Sequence, residues 1–342
     1  MIQSILSIKP HIHIAPSNRN LLKLPQPHAM KHAFILTAYR DPESLKRFLK
    51  QLIAIEGSQI YCSIDLKSAQ MAQEMRAWLT EQNSSDPRYA GVQLFHDQVI
   101  RYASTDHLNV QIRLIKQALL DGADYCHTLT GQCRLVVAPE KFINFFNQHE
   151  GQNFIEYFSL PAKHWSGDGG LARIQYFQLY DVMDIKRWRA LFDLSNRFIL
   201  LCQRFLKIDR RKSYPIGANH FWGGLGYWSL HKDALMAIVN DPILQDANQR
   251  SLYKHSHCAE EFVLHTILLN SQYGKTYRER IIANHLRFMD WEIGHGESPA
   301  ILDEPHLTQI KQGLENEYPY LFARKFDSRY SMSLEDQLGL KA

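Results

Sequence analysis

Residues 30–49 read MKHAFILTAYRDPESLKRFL. The apolar run predicts a strand over 33–38, and the segment after it predicts a helix over 42–55. The same alternation continues outward. Strands are expected at 59–64, 91–95 and 124–129, and helices at 67–82, 107–121 and 139–148. Strands separated by helices of this length imply a largely parallel sheet with helices on both faces, an α/β fold. The second half is less regular, with a strand near 153–158, a long amphipathic stretch at 185–206, a Gly- and aromatic-rich segment at 221–230 and a helix at 259–271. The first 29 residues carry Pro10, Pro16, Pro25 and Pro27 and keep no period, so the ordered domain is expected to begin near Met30, after a poorly ordered extension over 1–29.

The chain has 342 residues, 45% of them hydrophobic, ample for a buried core and against disorder as its main state. Its longest apolar runs, at 198–202 and 135–138, fall far short of the roughly 20 residues that span a bilayer. Residues 1–8 lack the apolar core and cleavage site of an export signal, so secretion is not expected. Five cysteines without a C-x-x-C pair argue against a disulfide framework and fit a reducing cytoplasm. The 17 histidines fall in no H-E-x-x-H or comparable pattern, which disfavours zinc. A net charge of +4 with interspersed acids disfavours general nucleic-acid binding. The KIDRRK cluster at 207–212 suits a solvated loop or peripheral contact with phosphates or an anionic membrane surface.

In an open α/β sheet, ligands gather beyond the carboxyl ends of strands, which places Asp65 and Gly131 to line a site. Several segments then occur in a telling order: AFILTAYRDPESLKRFL at 33–49, IYCSIDLKS at 60–68, VIRYAS at 99–104, HTLTGQCRLV at 127–136, NFIE at 153–156, WGGLGYWSL at 222–230, AEEFVLHTILLNS at 259–271, LRFMDW at 286–291 and LFARKFD at 321–327. Together they resemble the Core-2/I-branching enzymes, glycosyltransferase family 14, which includes β-1,6-N-acetylglucosaminyltransferases and peptide xylosyltransferases. The resemblance covers roughly residues 30–330. It implies a GT-A-like nucleotide-sugar transferase fold in a single large domain, with a nucleotide-binding half over about 30–150, an acceptor-binding and catalytic half over about 151–330, and a C-terminal tail at 331–342.

By this resemblance Asp65 and Tyr102 attend the nucleotide base, Lys325 binds the donor diphosphate with Arg324 beside it, Glu156 and Trp291 bind the acceptor, and Glu261 is the general base. Such a base is needed because an acceptor hydroxyl is a poor nucleophile until a carboxylate takes its proton. Attack opposite the leaving nucleotide inverts the sugar. Plainer readings stand beside these: Asp65 as a helix cap, Glu260 and Glu261 as acids favoured at a helix start, Trp291 as a core residue, and the Arg-Lys pair as surface charge.

No Asp-x-Asp occurs in the chain, and its nearest analogue, Asp290-Trp291-Glu292, falls where the family places the acceptor tryptophan. No metal and no cofactor are therefore expected, and fixed cations take over the charge of the leaving phosphate. The family's second phosphate-binding arginine, about two dozen residues before the lysine, is missing from GHGESPAIL at 294–302, which leaves His295 or Arg287 as candidates for its place. Cys133 and the Gly224-Leu225 pair are further departures.

The expected activity is inverting, metal-independent transfer from a UDP-sugar, UDP-N-acetylglucosamine above others, to a glycan hydroxyl in bacterial surface polysaccharide or lipooligosaccharide assembly. The expected place is the cytoplasm, with at most peripheral contact at the inner membrane. UDP-xylose or UDP-glucose transfer is the alternative within the enzyme class, and a non-catalytic carbohydrate-binding relative is the alternative outside it.

Overall fold

The computed structural model describes residues 29–214, 221–246 and 249–340. The expected extension over 1–29 lies outside them apart from Ala29. Among the described residues, twelve strands form three sheets: β1 His32–Ala38, β2 Ser58–Ile64, β3 Val92–Phe95, β4 Tyr125–Thr130, β5 Arg134–Leu135, β6 Asn153–Ile155, β7 Phe158–Ser159, β8 Trp222–Gly223, β9 Trp228–His231, β10 Ile281–Ile282, β11 Arg287–Met289 and β12 Phe322–Arg324. The central sheet has the order β10-β6-β9-β4-β1-β2-β3. All its strands run the same way except β9, which pairs antiparallel with both β4 and β6. The expected α/β architecture, a mostly parallel central sheet flanked by helices, is the one that forms.

Alternation along β1 explains the layering. Ala33 and Ile35 face one core, packed with Leu108, Ile112 and Ile115 of the helix Asp106–Leu120. Phe34 and Leu36 face the other, packed with helix α1 (Pro42–Ile53) and with Phe142 and Phe146 from the helix Pro139–Gln148. Successive side chains of a strand point to opposite faces, so one apolar run serves two layers. Helix α1 shows the matching period: Leu45, Phe48, Leu49 and Leu52 form its buried stripe. Its start is fixed by Pro42 in the first turn and by Asp41, whose carboxylate accepts the Ser44 N–H at 3.0 Å.

The amphipathic stretch at 185–206 yields the helix Arg189–Phe205, and the helix expected at 259–271 divides. Ala259–Glu261 is a single tight 3₁₀ turn, and Phe262, at φ −142°, separates it from the helix Val263–Asn270.

A small sheet β11-β12-β5 packs beside the first, over a third core cluster that includes Phe288, Phe326 and Leu334. Leu334 belongs to the helix Met332–Gln337, within the segment set apart as a tail. The same helix supplies Glu335, which pairs with the fully buried Arg134 at 2.8 Å and with Arg47 at 3.1 Å. Removing one partner strands a buried charge, which costs more than the pair itself contributes. Glu335→Ala is expected to lower stability by ~3 kcal/mol in chemical unfolding; a loss below a few tenths would mean that solvent already compensates Arg134.

Candidate active site

The order of the central sheet reverses at β1, with β2 on one side and β4 on the other. Crevices open beyond strand carboxyl ends at such a point. A cavity of about 500 Å³ lies there, lined by Tyr39 and Arg40 after β1, Asp65 and Lys67 after β2, and Gly131 and Gln132 after β4. This volume is ordinary for a small-molecule site. Six of the seven residues singled out from the sequence line this cavity: Asp65, Tyr102, Glu261, Trp291, Arg324 and Lys325.

Asp65 is buried, and its carboxylate accepts backbone N–H groups from Lys67 at 3.1 Å and Ile100 at 3.3 Å. It does not cap the following helix, Ala69–Ser85, whose capping position is Ser68. Asp65 thus ties the end of β2 to the loop that carries Tyr102. Tyr102 is 56% exposed, and the Lys186 ammonium lies 5.3 Å from its ring centre and 4.7 Å from that of Tyr39. Two aromatic faces with a cation between them make a platform for a planar ring.

On another wall stand the two acids of the 3₁₀ turn. Because Phe262 breaks the chain direction, Glu260 and Glu261 are not ordinary helix-start charges. The Glu261 carboxylate pairs with Arg173, from the helix Leu171–Gln175, whose guanidinium lies 4.1 Å over the Trp165 ring. Burial raises the pKa of Glu261, and Arg173 opposes that rise. Glu260 forms no ion pair among the described residues, and Arg173 opposes its rise only as the last of the causes. Burial first, and then the charge of Glu261, push it up to about 8, and its Oε2 has no hydrogen-bond partner. Two adjacent carboxyls in a shielded site avoid double ionisation, and the arginine decides which one keeps its charge. Close packing holds the turn in place. A Cβ on Gly224 would fall 2.0 Å from the Glu156 carbonyl oxygen, and one on Gly226 would fall 3.0 Å from Glu260 Cγ.

The third wall is cationic. Glu297 accepts from Lys325 Nζ at 2.6 Å and from Arg40 at 2.5 Å, and these partners hold its carboxyl down to about 2, the Arg40 hydrogen bond being the main cause. Arg324 lies beside them, 4.6 Å over the Tyr227 ring, with its Nε unpartnered. One carboxylate thus bridges two of three neighbouring cations.

Neither candidate for the missing arginine reaches this wall. Arg287 is a buried strut that donates to Ser229 Oγ and to the carbonyl oxygens of Trp228 and Thr128, and His295 pairs with Asp303 at 3.0 Å and stacks on Tyr330. The position beside Lys325 is filled by Arg40, from the opposite end of the chain.

Glu156, the seventh residue, follows β6 and is not a cavity wall. It lies behind Leu225, whose backbone N–H donates to its carboxylate; burial raises its pKa, and Glu261 adds to the rise. Trp291 is 55% exposed, which sets aside its reading as a core residue. Its neighbour Asp290 pairs with His306 at 3.2 Å. Among the described residues, no group of three or more His, Cys, Asp or Glu side chains is placed to hold a metal ion. Cys133 closes the turn after β4 by accepting the Thr130 N–H at 3.4 Å.

Arg40 and Tyr39 follow the first strand directly, so the strand-end rule that singled out Asp65 could have found them. Arg173 and Lys186 carry no local signal; only the tertiary fold brings them in.

No family model and no curated protein matches the chain. Among solved structures it is similar to TarS from S. aureus, with 12% identity over 37% of this chain and 21% of that one at a TM-score of 0.26. It is also similar to TarS 1-349, with 10% identity over 71% and 56% at 0.30, and to a mannose-1-phosphate geranyltransferase from Thermus thermophilus, with 11% identity over 73% and 68% at 0.29. The chain thus spans about a fifth of the longer TarS chain and little more than half of the shorter one. At these scores the likeness decides neither fold nor chemistry, which rest on the strand order and the cavity.

The raised Glu260 carboxyl links stability to pH. Its folded value, about 8, exceeds the ordinary 4.5, so its protonated form stabilises the fold below pH 4.5, and that contribution is lost as pH rises through 8. Glu260→Gln is expected to gain melting temperature over the parent at pH 8.5 by several degrees more than at pH 5. Parallel melting curves at all pH values would place Glu260 in an ordinary solvated setting.

Proposed function

We propose that the chain is an inverting glycosyltransferase of GT-A-like type that uses a UDP-sugar, with Glu261 as general base and Lys325 on the diphosphate. The observation that carries this reading is the meeting of an arginine-paired carboxylate and a cluster of three cations on the walls of one cavity. A sugar carbon held between them would feel a proton acceptor on one side and a sink for leaving-group charge on the other.

Uracil stacks at Tyr102, with Asp65 at the ring edge. The diphosphate displaces Glu297 and takes its two cations, Arg40 and Lys325, since two carboxylate oxygens bridging an arginine and a lysine present the charge pattern of a phosphate. Arg40 does the work of the family's second arginine, and Arg324 adds to the local field. These fixed cations supply the charge stabilisation for which related enzymes use a divalent ion. Arg173 keeps Glu261 ionised so that it can take the acceptor proton, and the acceptor sugar stacks on Trp291, with Glu156 behind the site. UDP-N-acetylglucosamine is the donor favoured by the family resemblance, and a growing bacterial surface glycan is the acceptor class.

Incubation with a panel of UDP-sugars in EDTA is expected to reveal one donor that is hydrolysed slowly without acceptor and transferred in its presence. Glu261→Gln should keep UDP affinity and lose transfer by about 100-fold or more. Full activity in that variant would remove Glu261 from the base role, and failure to respond to any UDP-sugar would overturn the transferase reading.

A further inference from the structure

The helix Arg189–Phe205 is amphipathic the wrong way round for a helix that packs on a core. Its inward face holds Phe192, Asn196 and Gln203. The two amides anchor it: Asn196 Oδ1 accepts the Leu179 N–H at 3.0 Å, and Gln203 both accepts from and donates to the Phe177 backbone at 2.8 Å. The outward face carries Leu191, Leu194, Phe198, Leu201 and Phe205, between 53% and 86% exposed, on successive turns. This is one continuous apolar stripe about 21 Å long, far beyond the scattered apolar residues of an ordinary surface.

Charge selects what covers it. Residues 186–212 hold nine basic side chains against two acids. Arg189, Arg197 and Arg204 are exposed beside the stripe, and Lys207 and Lys212 are exposed just beyond it. A second copy laid on the stripe would bring like charges together, with only Asp193 on the helix to offset them. Residues 1–28 carry Lys9, Arg19 and Lys23 and no acid, so the amino-terminal segment is no better matched. An apolar stripe flanked by cations fits a bilayer with anionic headgroups, the apolar side chains entering the acyl boundary and the arginines remaining at the phosphates. No helix of the described residues is long and apolar enough to cross a membrane, so contact through this one would run along its side.

We propose that the helix Arg189–Phe205 docks the protein on an anionic membrane surface. Lys186, three residues before the helix, is a wall of the cavity, so docking holds the cavity mouth beside the lipid. The inference stands apart from the assigned chemistry, because vesicle binding needs no turnover.

The test is co-sedimentation of the full chain with vesicles of phosphatidylcholine alone or mixed equally with phosphatidylglycerol, at low and high salt. The mixed vesicles should bind the protein, and salt should weaken that binding. The double variant Leu194→Gln, Phe198→Gln should bind about tenfold or more weakly while keeping the parent's circular dichroism and melting temperature. Arg197→Gln with Arg204→Gln should lose most of the preference for anionic lipid. A solvent-sensitive dye on Cys202, exposed on the same helix, should shift to the blue on binding. Absence of binding to anionic vesicles, equal binding by the Leu194/Phe198 variant, or a lipid-independent dimer that this variant dissolves would each overturn the proposal.

Discussion

Glu260 and Glu261 are neighbours in a single tight turn on the wall of a partly closed cavity, and two such carboxyls cannot both hold a charge cheaply. Arg173 settles the conflict in favour of Glu261. Much of the surrounding structure serves that choice. Gly226 lets Glu260 approach the segment before β9, Gly224 packs against the Glu156 carbonyl, and Trp165 seats the guanidinium that pairs with Glu261. On another wall the situation is reversed: Arg40, Arg324 and Lys325 crowd together, and Glu297 relieves two of them. A cavity with an arginine-paired carboxylate on one side and crowded cations on the other is electrostatically polarised before any ligand enters.

The parts of this arrangement that are legible in the sequence are those fixed by local periodicity. The apolar run at β1 and the spaced leucines of the following helix announce the sheet and its layers, because period and burial are coupled over a few residues. Asp65, Glu261 and Lys325 can be singled out because short ordered segments carry them. Arg40 can be reached as a strand-end residue after β1, but its pairing cannot, since that depends on Lys325, 285 positions away in the chain. Spacing points to a replacement for the missing arginine near position 300, whereas the cation that shares Glu297 with Lys325 comes from position 40, a pairing across space that no local segment announces. The break at Phe262 is likewise hidden, because an apolar residue after two acids looks like helix.

The helix Arg189–Phe205 teaches the complementary lesson. Its amphipathy is plain in the sequence, but amphipathy alone does not say which face turns inward. Two amides that satisfy the backbone at Phe177 and Leu179 reverse the usual orientation and leave the apolar face outside. Paired amides can hold a helix against irregular backbone whose polar groups would otherwise be buried unmet.

In the proposed mechanism Arg40 and Lys325 together form a diphosphate site that needs no divalent ion. Calorimetric titration with UDP in EDTA tests it most directly, using the parent protein, Arg40→Ala and Lys325→Ala. The account predicts binding by the parent and at least a roughly tenfold loss in each variant, as expected when a charge-assisted contact is removed. Undiminished UDP affinity in both variants, or binding by the parent only when a divalent ion is restored, would contradict it.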